Sequence, residues 1–451
     1  MTKLGATASL PYSVLMRIAS PLLASTLFAL SLLAAPASAQ DGLRGHGGPV
    51  RTLAIAPDGR TAISGGFDQS AIVWDLQAGK ALRVLRVHEG AVNAVAALPS
   101  GRFLTAGEDG RVALWGSDGA RPLRVDKAHE APIAGLAVSS DGASYSTAGW
   151  DNLARTFSLE TGIAVEDFAG HRGAVNALAW LGPSLVTASY DATLRIWPTD
   201  KTQPPKIVET PAPQNALAVL DNGRIAAGGA DGMVLILNES GVILSRTQAA
   251  EAPIIALAAS PDGRDLAAAS PRGSVAIINV GEPGAKVRFT LNGPGLPVWS
   301  LSYSPDGRTL LTGGGDKLVR RWDARTGEHI GAVVAQGPGD ELSAYAGVRG
   351  AEVFRACAIC HTLKPGDDNR AGPTLHGVFG RKAGTAPGYD YSDAFRKLDL
   401  VWSAETISRL FEIGPQSYTP GTKMPEQRVT DPADRAALID FLSQATMANK
   451  P

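Results

Sequence analysis

Cysteine is nearly absent from this chain. Its 451 residues include only Cys357 and Cys360. A framework of several disulfides, which holds many small secreted domains together, is therefore excluded. Packing and hydrogen bonds must hold the rest of the chain.

An excess of charge of either sign is also lacking. The chain has 42 lysines and arginines against 43 aspartates and glutamates. Proteins that bind nucleic acid usually carry a basic patch or a basic excess, so no nucleic-acid partner is expected. The length exceeds what one hydrophobic core usually serves and predicts two or more domains.

Long apolar runs are confined to the N-terminus. Lys3 and Arg17 precede an apolar run over residues 18–35, and the small residues Ala37-Ser38-Ala39 follow it. This order predicts a secretory signal over residues 1–39 and an exported, periplasmic protein. The alternative is an uncleaved membrane anchor, but Pro21 and a run shorter than the roughly 20 residues of a span count against it. No membrane span is expected once the signal is cleaved.

Residues 45–334 repeat with a period of about 40, which is the spacing of repeat architectures. An aspartate is followed six residues later by a tryptophan or another apolar residue. The pairs are Asp68 and Trp74, Asp109 and Trp115, Asp151 and Phe157, Asp191 and Trp197, Asp231 and Leu237, and Asp316 and Trp322, with a degenerate unit at 272–278. Turns such as Pro57-Asp58-Gly59 lie between short apolar runs, and this pattern predicts antiparallel strands.

With Gly45-His46, Gly170-His171 and Trp74-Asp75, these repeats resemble the WD-repeat β-propeller family. The resemblance implies an all-β propeller of seven four-stranded blades over residues 40–335. It also implies that a histidine bonds the turn aspartate within each of four blades. The expected pairs are His46 with Asp68, His88 with Asp109, His129 with Asp151, and His171 with Asp191. To close the ring, we expect residues 328–334, rather than 40–44, to supply the outer strand of the seventh blade.

The same resemblance places certain positions on the face where partners dock. Phe67, Trp150 and Tyr190 each precede a turn aspartate, and Trp299 follows a strand-opening valine. Large aromatics are typical anchors of protein interfaces. These four residues are therefore candidate partner-binding residues, and the alternative is that some pack into the rim. Arg51, Asn93, Asn176 and Asn215 occupy positions equivalent to Trp299.

The two cysteines stand in Cys357-Ala358-Ile359-Cys360-His361, the C-x-x-C-H pattern of covalent c-type haem attachment. Thiols at this spacing can each add to one vinyl group of the same macrocycle, and the adjacent imidazole then lies under the iron. We expect one covalent haem c, with His361 as proximal ligand. The alternatives are a redox-active dithiol and half of a zinc site. A zinc site needs two further ligands close by, and a redox dithiol needs a strand–helix setting; neither pattern is visible.

Beyond a Pro/Gly-rich linker at 336–345, residues 346–451 resemble class I cytochrome c. The resemblance implies an all-α domain in which a helix bearing Gly350 and Phe354 crosses a closing helix bearing Leu438 and Phe441. It implies that the carbonyl of Pro373 accepts a hydrogen bond from the His361 imidazole.

The sixth iron ligand implied by the resemblance is Met424, in the loop Pro420-Gly421-Thr422-Lys423-Met424-Pro425. His376 and Met447 are the rival ligands. Histidine with methionine raises the reduction potential of the iron relative to anionic ligands and suits an electron carrier. With both axial positions filled, no site remains for oxygen or a substrate.

The resemblance also assigns groups around the buried haem carboxylates. Arg381, Tyr389 and Trp402 correspond to donors that bond a propionate, and Tyr391 and Ser392 lie in the same stretch. The alternative for each is ordinary packing. Two positions depart from the family, because Phe395 replaces the usual asparagine and Leu410 the usual tyrosine.

Three functions fit the sequence. The first is a periplasmic one-electron carrier with redox partner proteins, in which the propeller is a docking platform. The second is an oxidoreductase with a further catalytic site in the propeller, and the third is a redox-linked scaffold. The sequence favours a carrier over an enzyme because no cysteine and no clustered histidines remain for a second metal.

Overall fold

The structure, a computed structural model, describes two stretches of the chain. These are residues 42–330, apart from 221–222, 282–283 and 294–295, and residues 342–446, apart from 359, 366–371, 390 and 425–426. The predicted signal segment, most of the predicted linker and the rival ligand Met447 lie outside the described residues. Among the described residues, no helix is both long enough and apolar enough to cross a membrane.

The described part of residues 42–330 forms seven antiparallel sheets of four strands, as predicted. The first three blades contain β2 (Val50–Ile55), β3 (Thr61–Gly66), β4 (Ser70–Asp75) and β5 (Lys80–Arg86); β6 (Val92–Ala97), β7 (Phe103–Gly107), β8 (Arg111–Trp115) and β9 (Pro122–Lys127); and β10 (Ile133–Val138), β11 (Ser144–Gly149), β12 (Ala154–Ser158) and β13 (Ala164–Phe168). The next three contain β14 (Val175–Leu181), β15 (Ser184–Ser189), β16 (Thr193–Trp197) and β17 (Lys206–Glu209); β18 (Gln214–Val219), β19 (Ile225–Gly229), β20 (Met233–Leu237) and β21 (Ile243–Gln248); and β22 (Ala256–Ala259), β23 (Asp265–Ala269), β24 (Ser274–Asn279) and β25 (Lys286–Asn292).

The seventh blade closes the ring with strands from both ends of the propeller. It contains β26 (Val298–Tyr303), β27 (Thr309–Gly314), β28 (Leu318–Asp323) and, as its outer strand, β1 (Leu43–Arg44). Leu43 pairs with Val319, and Arg44 with Leu318. The expectation that residues 328–334 form this strand is therefore wrong. The described part of that segment adds only a single bridge, between His329 and Trp322.

The ring is held by contacts between the first strands of neighbouring blades, with β26 meeting β2 where the ring closes. Three asparagine amides join these strands across blade boundaries. They donate to backbone carbonyls of the next blade, Asn93 to Ile133, Asn176 to Gln214 and Asn215 to Ile254, at 3.0–3.2 Å. These asparagines lie at positions predicted to be on the docking face, but their amides bond neighbouring blades to each other.

Each of the four predicted histidine–aspartate pairs forms, with Nδ1 within 2.9–3.0 Å of a carboxylate oxygen. In the fourth blade, Nε2 of His171 lies 2.8 Å from the hydroxyl of Thr187, which accepts the indole N–H of Trp197 at 2.9 Å. Burial, aided by Arg195 and opposed by Asp191, lowers the pKa of His171. A neutral imidazole therefore donates to Asp191 and accepts from Thr187.

Residues 342–446 form a separate helical domain. Its helices are α1 (Arg349–Phe354), α2 (Asp393–Arg396), α3 (Ala404–Ile413), α4 (Pro415–Tyr418) and α5 (Pro432–Ala445), preceded by a 3₁₀ turn (Ser343–Tyr345). Ser403 and Thr406 form a capping box at the start of α3. Asp431 caps α5 by accepting from two backbone N–H groups. Leu342 packs in the core of this domain.

The crossing of α1 and α5 follows the prediction. The rings of Phe354 and Phe441 are 5.5 Å apart, and Tyr345 meets Phe441 edge-on at 5.0 Å. Gly350 lies where the helices touch, because a side chain there would overlap the backbone of Ala437 and the Cβ of Phe441. Glycine at this position lets the two backbones approach closely.

We predict that Thr187→Val destabilises the propeller by about 1–3 kcal/mol, because it leaves buried groups of His171 and Trp197 without a partner. The measurement is the thermal unfolding midpoint. Thr161→Val, in an exposed loop, serves as a control and is expected to change little. An unchanged midpoint for Thr187→Val would contradict the structural role of this hydroxyl.

Candidate haem-binding site

A cavity in the helical domain is lined mainly by apolar side chains. They come from three helices: Phe354 from α1, Ile407, Leu410 and Phe411 from α3, and Leu442 from α5. Leu375, Val378 and Phe395 add further apolar surface. Such a lining suits a large, flat and mostly apolar group.

The two cysteines enter this cavity because hydrogen bonding of the helical type continues past the end of α1. The amide of Cys357 donates to Phe354, and the amides of Cys360 and His361 donate to Cys357, all at 2.8–3.0 Å. This turn places both buried thiols and the His361 ring on the cavity wall. Burial raises the pKa of the Cys357 thiol to about 12, which marks its surroundings as apolar.

The orientation of His361 is fixed by the loop that follows. Its Nδ1 lies 2.8 Å from the carbonyl oxygen of Pro373. A carbonyl oxygen only accepts, so Nδ1 carries the proton and Nε2 keeps its lone pair for a metal. Gly372 makes the approach possible, because a Cβ there would lie 2.5 Å from Cε1 of His361.

Met424 lies on the wall of the same cavity, in the loop after α4. Its amide donates to the hydroxyl of Thr422 at 3.1 Å, and its carbonyl accepts from Gln416 at 3.2 Å. Ser392 anchors this loop from the other side by donating to the carbonyl of Gly421. His376, the rival ligand, is not among the described residues that line the cavity.

The predicted carboxylate-binding groups also converge here, since Arg381, Tyr389, Tyr391 and Trp402 all line the cavity. The guanidinium of Arg381 donates to the carbonyls of His376 and Thr374 at 3.0 and 2.8 Å. Burial is the main cause that raises the pKa of Tyr389 and of Tyr391. Both phenols therefore stay protonated and can act as donors.

The residues present fit a covalent haem. Two thiols stand at the spacing of the attachment motif, an imidazole offers Nε2, and phenol donors line an otherwise apolar wall. All nine residues predicted to contact the cofactor line this one cavity. A haem held here would supply an iron that changes its oxidation state by one electron.

Over residues 347–446 the chain matches the family model described as cytochrome c. Cytochrome c of Cochliobolus lunatus is 46% identical over 99 residues, which are 22% of this chain and 91% of that protein. The chain belongs to the cytochrome c family. Cytochrome c of Arabidopsis thaliana is 46% identical over 99 residues (22% of this chain, 88% of the relative), and cytochrome c2 of Rhodomicrobium vannielii is 41% identical over 104 residues (22% and 82%). Membership of this family implies a covalently bound haem c.

The propeller matches a second family model, described as WD domain, G-beta repeat, at residues 38–75, 79–116, 162–198 and 285–323. Two solved structures share its fold at 22% identity. The WD40 repeats of RRP9 superpose with a TM-score of 0.57 over 63% of this chain and 93% of that one; U3-55K gives 0.56 over 61% and 90%. At this identity the likeness concerns the fold alone.

The four candidate docking aromatics of the propeller differ in exposure. Tyr190, Trp150 and Phe67 are 66%, 52% and 41% exposed. Trp299 is half-buried, with its ring 5.9 Å from that of Phe67 and 5.5 Å from the guanidinium carbon of Arg51. Phe67 and Trp299 thus pack against each other, while Trp150 and Tyr190 face solvent.

Three residues near the cytochrome cavity come from the propeller and were missed by sequence reasoning. Gly47 and Asp68 line the cavity, and the guanidinium carbon of Arg86 lies 4.6 Å from the ring centre of Tyr389. About three hundred residues of chain separate them from the cytochrome residues that they face. No motif spacing connects the two sets, so the sequence carries no signal for this contact.

We predict that Gly372→Ala tilts the His361 ring and lowers stability by about 1–3 kcal/mol, the usual range for overpacking. Two measurements test this prediction: the thermal unfolding midpoint and the electron paramagnetic resonance spectrum of the ferric protein. An unchanged midpoint with an unchanged spectrum would show that the loop gives way without moving the ring.

Proposed function

We propose that this chain is an exported electron carrier in which one haem is ligated by His361 and Met424, with the propeller as the platform on which redox partners dock. The carrying observation is that a histidine whose Nδ1 bonds the Pro373 carbonyl and a methionine line the same apolar cavity as the two thiols. His361 and Met424 would hold the iron of a bound haem, and that haem would supply one-electron chemistry.

Two features support Met424 over His376 as the sixth ligand. Met424 lines the cavity, in a loop braced by Thr422 and Gln416. His376, in contrast, is not among the described residues that line the cavity, and its carbonyl accepts a hydrogen bond from Arg381. The thioether is also the weaker donor to ferric iron, which favours the ferrous state and a high reduction potential.

An enzyme with a second metal centre is the competing function. Within the described residues, no group of three or more histidine, cysteine, aspartate or glutamate side chains is arranged to hold a metal ion. The propeller histidines instead bond the aspartate of their own blade. No observation among the described residues therefore favours this alternative. Export to the periplasm is a separate part of the proposal and is based on the segment 1–39.

We predict that the purified protein contains one iron per chain and shows the sulfur-to-iron absorption band of histidine–methionine ligation. Met424→Ala should abolish the band and lower the reduction potential, because the thioether stabilises ferrous iron. Thr422→Val, which removes only the bond to the Met424 amide, is the milder comparison and should keep the band. A band that survives Met424→Ala, or stoichiometric copper or zinc, would overturn this assignment.

The solvent-facing Trp150 and Tyr190 are the parts of the docking platform best placed to bind a partner. We predict that the Trp150→Ala, Tyr190→Ala double variant loses most of the redox proteins that cross-link to the wild type in a periplasmic extract. The matched control is Ile163→Ala, Val165→Ala, which removes two exposed apolar residues at the outer edge of the third blade. Quantitative mass spectrometry reads the result, and equal recovery with both double variants would exclude this surface.

A further inference from the structure

The cytochrome domain does not enclose its cavity alone. Gly47, in the loop between β1 and β2, stands against Cys360, and a Cβ built on Gly47 would lie 2.5 Å from the Cys360 sulfur. The next nearest atoms, in the Asp68 side chain, would be at ordinary contact distances of 3.7 and 3.8 Å. The close fit at Gly47 is thus with the cytochrome domain and not with the propeller itself.

The position of Gly47 is fixed by the histidine–aspartate pair of the first blade. Its amide donates to the carboxylate of Asp68 at 2.6 Å, and the same carboxylate bonds His46 and the Ser70 hydroxyl. In the next three blades the residue after the paired histidine carries a long side chain: Glu89, Glu130 and Arg172. Of these four blades, only the one that meets Cys360 has a glycine there.

Arg86 makes the second contact. It is the last residue of β5 and only 8% exposed, and its guanidinium lies over the ring of Tyr389 at 4.6 Å. Tyr389 packs in turn on Tyr391, with ring centres 4.6 Å apart. A buried cation of the propeller therefore stands directly behind two phenols that line the haem cavity.

We propose that the first propeller blade is a built-in wall of the haem site: the Gly47 backbone shields the Cys360 side from water, and Arg86 holds Tyr389 and adds positive charge. The inference rests on the proposed function, in that a haem occupies the cavity. Oxidised haem carries one more positive charge than reduced haem. Exclusion of water disfavours the oxidised form, and the Arg86 cation opposes the Asp68 carboxylate, which lines the same cavity and favours that form. Loss of either the Gly47 contact or the Arg86 cation therefore lowers the reduction potential.

The test uses the full-length protein with its haem. Gly47→Ala places a methyl group against Cys360 and should push the two domains apart, and Arg86→Ala removes the cation. Both variants should show a lower reduction potential in a spectroelectrochemical titration, and Gly47→Ala should be reduced several-fold faster by ascorbate. Arg86→Lys keeps the charge and should restore part of the potential.

Lys127→Ala is the matched control. Lys127 ends β9 in the second blade as Arg86 ends β5 in the first, each opposite the first residue of the neighbouring strand. Its removal should leave potential and reduction rate unchanged. Wild-type values for both Gly47→Ala and Arg86→Ala, or an equal shift in Lys127→Ala, would overturn the proposal.

A readout that does not depend on the haem separates this proposal from the previous one. Backbone hydrogen exchange near Cys360 should be faster in Gly47→Ala but not in Lys127→Ala, because only the first variant opens the contact between the two domains. An unchanged exchange rate near Cys360 would contradict the proposal that the first blade forms a wall of the site, whichever residues bind the iron. If exchange quickens while the wild type lacks the sulfur-to-iron band, the domain contact stands and the ligation by Met424 fails.

Discussion

The close crossing of α1 and α5 at Gly350 is the constraint on which the cytochrome site depends. The turn that carries Cys357, Cys360 and His361 continues directly from α1, so its position is set where that helix packs against Phe441. A larger residue than glycine at 350 would separate the backbones. The thiols and the imidazole would then move away from the wall formed by α3 and the methionine loop. The position of the attachment motif thus depends on a packing requirement at the start of α1.

Much of this cavity could be predicted from the sequence. The haem-attachment turn, the proximal loop and the methionine loop each carry a short motif that can be recognised without the structure. The number of blades could be predicted for the same reason, since each repeat contains its own turn and its own apolar runs. Ring closure could not. Residues 40–44 and 328–334 are both short segments of the sequence, and only the pairing of Leu43 with Val319 in three dimensions distinguishes them.

The docking face shows a similar division. The family resemblance predicts which residues lie on the docking face, yet Asn93, Asn176 and Asn215 use their amides to bind the neighbouring blade. Trp299 is likewise partly covered by Phe67 and Arg51. Exposure depends on which neighbours arrive from other blades, and a single repeat does not contain that information. Contacts between the propeller and the cytochrome domain are still harder to predict from the sequence, because they join residues about three hundred positions apart.

Four blades contain the same histidine–aspartate pair, which braces a loop in each of them. In the first blade the same brace holds Gly47 beside Cys360. Substitution of His46 would therefore disturb both its own blade and the contact between Gly47 and Cys360. The equivalent substitution of His88 would disturb only its own blade. Blades with nearly the same local structure thus differ in their role. The difference arises because the first blade contacts the cytochrome domain.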